Sequence, residues 1–173
     1  ERQIIFSPEF LTEKNYKHDI LNQSRVILGG ENLLTEKVAK LYRKRFSEIE
    51  IIKTDCVTAE LVKYMNNCFF ATKVSIMNEF KLMSDSLGAN WNDAVKGFSL
   101  DERIGKSHLQ VPGHDGDYGY GGTCFPKDVN AFICLAEKIK ININTIKAGK
   151  KTNMEVRNNK DWLKKFGRSV SFE

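Results

Sequence analysis

The stretch Thr58-Ala-Glu-Leu-Val-Lys-Tyr-Met-Asn-Asn-Cys-Phe-Phe-Ala-Thr-Lys-Val-Ser-Ile-Met-Asn-Glu79 sets the architecture of this chain. Val62, Met65, Phe69, Ile76, Phe80, Met83 and Leu87 follow the three/four spacing of one apolar helical stripe. Leu61, Cys68, Phe70 and Met77 make other faces apolar as well, as expected of a helix buried on several sides. The pattern runs from about Thr58 to Gly88, so at 1.5 Å per residue the helix is roughly 45 Å long. That length outgrows a domain of this size, which predicts a homodimer interface along residues 58–88.

Upstream, strand and helix signals alternate. Gln3 to Phe6 reads as a short apolar strand. Ser7 followed by Pro8 is a cap-plus-first-turn signal, predicting a short helix that carries Glu9 and Glu13. Arg25 to Leu28 reads as a second strand ended by Gly29-Gly30, Leu33 to Phe46 as a charged amphipathic helix, and Glu48 to Lys53 as a third strand. Such alternation is the pattern of a parallel α/β sheet. Downstream the signals are helical only: Asn92 to Phe98, then Lys127 to about Lys140, then Asn153 to Phe166. The expected fold is therefore mainly α with a small partial parallel α/β piece at the N-terminus. Its long central dimerisation helix is followed by a helical domain, and the division falls at 1–56 and 57–173.

A hydrophobic content of 41%, with 11 Phe, is enough for a real core in 173 residues. No run is long enough for a transmembrane helix and no apolar signal region opens the chain, so no membrane association is expected. Four cysteines without C-x-x-C pairing or histidines at ligand spacing argue against zinc and against a disulfide framework. The expectation is a reducing, cytoplasmic location. The net charge is +5, and basic residues concentrate from Lys138 to Arg168. No nucleic-acid-binding signature accompanies that charge, which reads as a solvated face or as mild steering of an anionic ligand.

The chemistry concentrates in Gly119-Tyr-Gly-Gly-Thr-Cys-Phe-Pro-Lys-Asp128. Gly119, Gly121 and Gly122 permit positive φ or close approach to a ligand. Pro126 is favoured at the first position of a helix, which places Cys124 just outside that helix's N-terminus, where unpaired N–H groups and the dipole favour a thiolate. Lys127 adds a positive charge and Asp128 a carboxylate. Cys124 therefore reads as an activated nucleophile. Cys56, Cys68 and Cys134 read as small buried hydrophobes.

Gly-Gly-Thr-Cys-Phe-Pro-Lys-Asp resembles the catalytic cysteine motif of the UDP-glucose/GDP-mannose dehydrogenase family. Two further stretches are similar to that family in its own order. They are Ser7-Pro-Glu-Phe-Leu-Thr-Glu13, like its substrate-binding segment, and Thr58–Glu79, like its long central helix, which joins two subunits. Within the family, Phe-Pro-Lys-Asp is more similar to the branch acting on UDP-glucose than to the mannosaminuronate branch. The resemblance implies NAD-dependent oxidation of UDP-glucose to UDP-glucuronate in two steps, through a cysteine thiohemiacetal and thioester. GDP-mannose is the alternative substrate. The family's G-x-G-x-x-G fingerprint does not occur in this sequence. Residues 1–56 then correspond to the end of a Rossmann-like NAD-binding domain and 57–173 to the central domain, so the chain is expected to be a middle piece or a reduced form, inactive without the rest. A non-catalytic remnant that dimerises and binds a nucleotide-sugar is the competing expectation.

The resemblance also carries roles. Cys124 is the nucleophile, Lys63 and Asn67 serve the oxyanion and an ordered water, Asp128 works with Lys63, and Glu9 is the base for thioester hydrolysis. Glu9, Phe10, Leu11, Glu13, Lys63, Asn67, Arg103, Tyr120, Gly121 and Gly122 are implied on the substrate side, Arg103 reaching the neighbouring subunit's substrate. Glu13, Cys124 and Lys127 are implied on the NAD side, and no metal is. By spacing alone, Lys63 and Asn67 read as a solvent-facing pair one turn apart, Glu9 and Glu13 as helix-dipole partners, and Arg103 as a surface ion pair. The insert His108-Leu-Gln-Val-Pro-Gly-His-Asp-Gly-Asp117 is longer than in many family members. Its histidines read as turn residues, with a general base as the alternative.

Overall fold

The computed structural model describes residues 4–12 and 15–164. The chain forms two compact units, 1–65 and 66–173. Three strands, β1 (Ile5–Phe6), β2 (Arg25–Gly30) and β3 (Glu50–Thr54), alternate with helices α1 (Tyr16–Leu21) and α2 (Asn32–Arg45). Helix α3 (Cys56–Ser86) begins in the first unit and continues into the second, followed there by α4 (Trp91–Phe98), a 3₁₀ turn (Glu102–Ile104), α5 (Cys124–Lys138), α6 (Asn144–Val156) and a 3₁₀ turn (Asp161–Lys164).

In the first unit, β2 and β3 pair in parallel with Val26 opposite Ile51, as the alternation predicts. β1 pairs antiparallel with β2, so the sheet is mixed and not purely parallel. Val26 and Leu28 on β2 bury against Ala39 of α2 and against Ile49. Gly29 and Gly30 extend β2 instead of ending it. A Cβ at Gly29 would strike the Ala59 side chain and the Asp55 carbonyl, so glycine is what lets α3 start against the strand. Asp55 accepts the Thr58 N–H at 2.9 Å and caps α3, which begins at Cys56, two residues before the predicted start.

Ser7–Thr12 is not a helix. The Thr12 N–H and hydroxyl donate to the Asp19 carboxylate at 2.8 and 2.6 Å, and the Arg25 guanidinium lies 4.9 Å from the Phe10 ring centroid. Those contacts override the Ser-Pro signal and hold the segment irregular, so Glu9 is not on a helical face. Gln3 and Glu13 lie outside the described residues.

In the second unit, the buried face of α3 is not its apolar stripe. Cys68, Ala71, Ser75, Met77, Asn78 and Ser84 are buried, whereas Phe69 is 65% exposed, and Ile76, Phe80 and Met83 are exposed as well. Small residues win the interior because α6 comes close: Ser75 Oγ donates to the Gly149 carbonyl at 2.7 Å, and Gly149 faces Thr72. Cys68, Ala71, Tyr120, Val129 and Ile133 form one core, and Met77, Leu109 and Val111 another. The last predicted helix is displaced: residues 144–156 form α6, and 161–164 a 3₁₀ turn. Phe166 and Arg168 lie outside the described residues. Among the described residues, no helix is long and apolar enough to cross a membrane.

Candidate active site

Cys124 is the first residue of α5, two positions earlier than Pro126 predicts. The correction has a local cause. The first four N–H groups of a helix have no intrahelical acceptor, so a proline is tolerated anywhere in the first turn. Pro126 is buried there, while Cys124 is exposed. At its other end α5 stops at Lys138 and not Lys140. Lys140 adopts φ 61°, and Ile141 donates back to the Ala136 carbonyl at 2.8 Å, a Schellman closure.

One turn beyond Cys124, Asp128 is 2% exposed. Its Oδ2 accepts from Asn67 Nδ2 at 2.5 Å and its Oδ1 pairs with Lys127 Nζ. Both oxygens of this buried carboxylate are thus engaged, and the Asn67 amide is held with its nitrogen toward α5. Cys68, one residue along α3, is buried, and its thiol is pushed up to about 12, by burial first and then by the Asp128 carboxylate. It stays a neutral core thiol. Cys56 is half-buried, its Sγ donating to the Gly29 carbonyl at 3.3 Å. Cys134 departs from the expectation: it is exposed, turned away from the α5 face that buries Val129, Ile133 and Ala136.

The loop before Cys124 is held by side chains that the sequence reading did not single out. Asn78 Oδ1 accepts the Gly119 N–H at 3.0 Å. Asn153 Oδ1 accepts the Tyr120 N–H at 2.6 Å, and its Nδ2 donates to the Tyr120 carbonyl at 3.1 Å. Asp161 Oδ1 accepts the Gly122 N–H at 3.0 Å. Arg157, buried at the end of α6, pairs with Asp115 at 2.6 Å and with Asp117 and Asp161 at 3.7 and 3.9 Å. Burial pushes the Asp115 carboxyl up, but the Arg157 hydrogen bond and a main-chain N–H outweigh it, and the net shift is downward. For Asp117, burial again raises it and N–H groups of Asn159, Tyr118 and Asn158 bring it down overall. A Cβ at Gly119 would strike Asn153, and one at Gly121 would strike the Arg157 guanidinium, so these glycines let the loop sit on its braces. The sequence signal that could have found them is the paired Asp-Gly-Asp and Asn-x₃-Arg spacing, which has no local use.

The remaining predicted residues fall as follows. Tyr120 is a core residue, edge-on to Phe125 at 5.9 Å, its hydroxyl shifted upward by burial and then by Cys68. Gly122 takes φ 73° with open space beyond it. Arg103 is exposed and donates to the Asp101 carboxylate at 2.5 and 2.9 Å. His108 adopts φ 61° in a turn, and its ring stacks on Phe70 at 4.2 Å. Its Nδ1 is buried without a hydrogen-bond partner, and burial, then Lys73, pushes its titration down. His114 is exposed. In the first unit, Glu9 is exposed while Phe10 and Leu11 are half-buried beside a cleft of about 360 Å³. Lys63 is half-buried on α3.

Fold and site define a helical domain built on one long helix, with an exposed cysteine opening a helix behind a braced glycine loop. The model of the UDP-glucose/GDP-mannose dehydrogenase family, central domain, matches residues 57–155, and the chain belongs to this family. It is 36% identical over 149 residues to a UDP-glucose 6-dehydrogenase of Rickettsia conorii, covering 86% of this chain and 33% of the relative. With the UDP-glucose 6-dehydrogenase YwqF of Bacillus subtilis it shares 34% identity, covering 85% of this chain and 32% of that protein. A UDP-glucose dehydrogenase structure from Pyrobaculum islandicum superposes with a TM-score of 0.80 at 29% identity, covering 88% of this chain and 34% of that one. The UDP-D-ManNAc dehydrogenase of Pyrococcus horikoshii gives 0.73 at 26%, covering 89% and 34%. The chain spans about a third of the length of these relatives.

Proposed function

We propose that this chain is the central part of an NAD-dependent UDP-glucose 6-dehydrogenase, with Cys124 as its covalent nucleophile. The observation that carries the reading is the exposed thiol at the first position of α5, on a family cysteine motif, with buried Asp128 one turn along the same helix and Asn67 of α3 bonded to it. Residues 1–56 are read as the end of the dinucleotide-binding domain and 57–173 as the central domain. The sequence lacks a G-x-G-x-x-G turn. The residues that would meet NAD are Cys124, exposed at the first turn of α5, and Lys127, whose ammonium is paired with Asp128, with Glu13 implied by resemblance alone. NAD would supply the hydride acceptor for each of the two oxidations, two equivalents per sugar.

The chain's own residues do the rest. The C6 alcohol of the sugar gives up a hydride to the acceptor and a proton to solvent, and Cys124 Sγ adds to the resulting aldehyde carbon as the C=O π pair moves onto oxygen. The charge gathering on the carbonyl oxygen is met by Lys63, since a cation is worth most in a water-poor site. Oxidation of the thiohemiacetal gives a thioester, holding the reactive aldehyde level on the protein. Water then attacks the thioester carbon, with Glu9 taking its proton and Asn67 placing it, and the C–S bond breaks to release the carboxylate and the Cys124 thiolate. Asp128, with Asn67 on one oxygen and Lys127 on the other, fixes the amide that does so. The exposed stripe of α3, with Met65, Phe69, Ile76, Phe80 and Met83, is apolar surface that a second copy of the chain would cover. Arg103 then serves the neighbouring site. The reading carries a cytoplasmic enzyme of nucleotide-sugar metabolism, upstream of polysaccharide synthesis.

The test is NADH formation when UDP-glucose and NAD are added to the protein in which this chain occurs, native and with Cys124→Ala, with GDP-mannose in a parallel arm. Steady NADH formation from UDP-glucose that falls by at least about a thousand-fold in the variant is expected. Turnover of GDP-mannose alone would move the substrate, and NADH formation indifferent to Cys124 would remove the mechanism.

A further inference from the structure

We infer that Asn153 and Asn78 are positioning residues for Cys124: two buried carboxamides that fix the main chain at residues 119 and 120 and so set where the nucleophile's helix begins. The inference rests on the reading of Cys124 as a nucleophile.

Asn153 and Asn78 are 2% and 1% exposed. Burying a carboxamide is unfavourable unless its hydrogen bonds are met, and here each is spent on the backbone. Asn153 engages both the N–H and the C=O of Tyr120, as a neighbouring strand would. Only an amide provides an acceptor and a donor in that geometry: Asp would turn a second oxygen toward the Tyr120 carbonyl, and Leu would leave both groups unmet. Asn78 anchors its own nitrogen on the Val74 carbonyl at 2.8 Å and offers its oxygen to Gly119.

The placement on α3 ties this frame to the chemistry. Asn67 and Asn78 are eleven residues apart, which at 100° per residue brings them to within about 20° on one helix face, roughly 16 Å apart along the axis. Asn67 holds Asp128, four residues after Cys124, and Asn78 holds Gly119, five residues before it. One face of α3 therefore grips the polypeptide on both sides of Cys124, and Asn153 completes the grip from α6. Between the grips, Gly121 lies against the Arg157 guanidinium and Gly122 donates its N–H to Asp161, so the path from the frame to Cys124 is carried without side chains of its own. Displacing the frame shifts Cys124 relative to the first turn of α5 and so changes how its thiol is presented for attack.

The experiment is iodoacetamide labelling of the native chain, read by mass spectrometry at Cys124 and Cys134 together from about pH 6 to about pH 9, in Asn153→Ala, Asn153→Asp and Asn78→Asp. Both cysteines are exposed and share α5, so Cys134 reports any general loosening. The expected result is a fall of about five-fold or more in Cys124 labelling near neutral pH, with Cys134 unchanged. Equal change at both, no change at either, or faster labelling of Cys124 overturns the inference. Should Asn153→Ala fail to fold, the isosteric Asp variants decide. A wild-type Cys124/Cys134 ratio near one would instead count against the nucleophile reading and leave the frame untouched as a structural fact.

Discussion

Residues 113–122 and residues 7–12 are both irregular chain leading to proposed active-site groups, and they are held in opposite ways. The first is gripped by partners distant in sequence and mostly buried: Asn78, Asn153, Arg157 and Asp161. The second is fixed by near neighbours, Asp19 and Arg25, both at the surface or close to it, and leaves Glu9 exposed. The nucleophile's loop is thus preorganised by the helical core.

The sharpest way to break this contrast is Arg157→Met, which strands Asp115, Asp117 and Asp161 without their common cation. Arg157 is buried, but Asp115 is exposed and Asp117 and Asp161 keep main-chain donors. A loss of about 2–3 kcal/mol, read as a drop in the chemical-denaturation midpoint, is therefore expected. A drop no larger than that of a surface substitution would show the loop is not braced there. Gly119→Ala comes next. Gly119 has φ 67° and no room before Asn153, so a loss of about 1–3 kcal/mol is expected in the same assay. Acid sharpens the contrast further. Asp115 and Asp117 titrate below their ordinary values when folded, so their contribution is fully present above about pH 4 and fades as pH falls through the folded values. Stability should therefore decline on acidification below about pH 4, with a shallower decline in Arg157→Met. At the other extreme, Glu9→Gln should move stability by less than about 0.5 kcal/mol, since the side chain is exposed, while lowering thioester hydrolysis.

Much of the fold was legible because local physics agreed with it. The three/four spacing gave α3, and the apolar run before Gly29 gave β2. The readings that failed did so where a long-range contact outbid a local signal. Ser7-Pro8 looks like a helix start until Asp19 takes the Thr12 donors. The apolar stripe of α3 looks like its buried face until α6 packs on the small residues instead. Around the site, Cys124 and Asp128 stand out in a compact motif, but their supports do not. Asn78 and Asn153 are ordinary polar residues in helical sequence, and nothing local indicates that both turn inward onto the same loop.

The most direct measurement is the relative rate at which iodoacetamide labels Cys124 and Cys134 in the native, unsubstituted chain near neutral pH. Both thiols are exposed on one helix, so access alone predicts parity. A nucleophile at the helix's first position predicts that Cys124 reacts faster by about ten-fold. Equal rates would contradict the account.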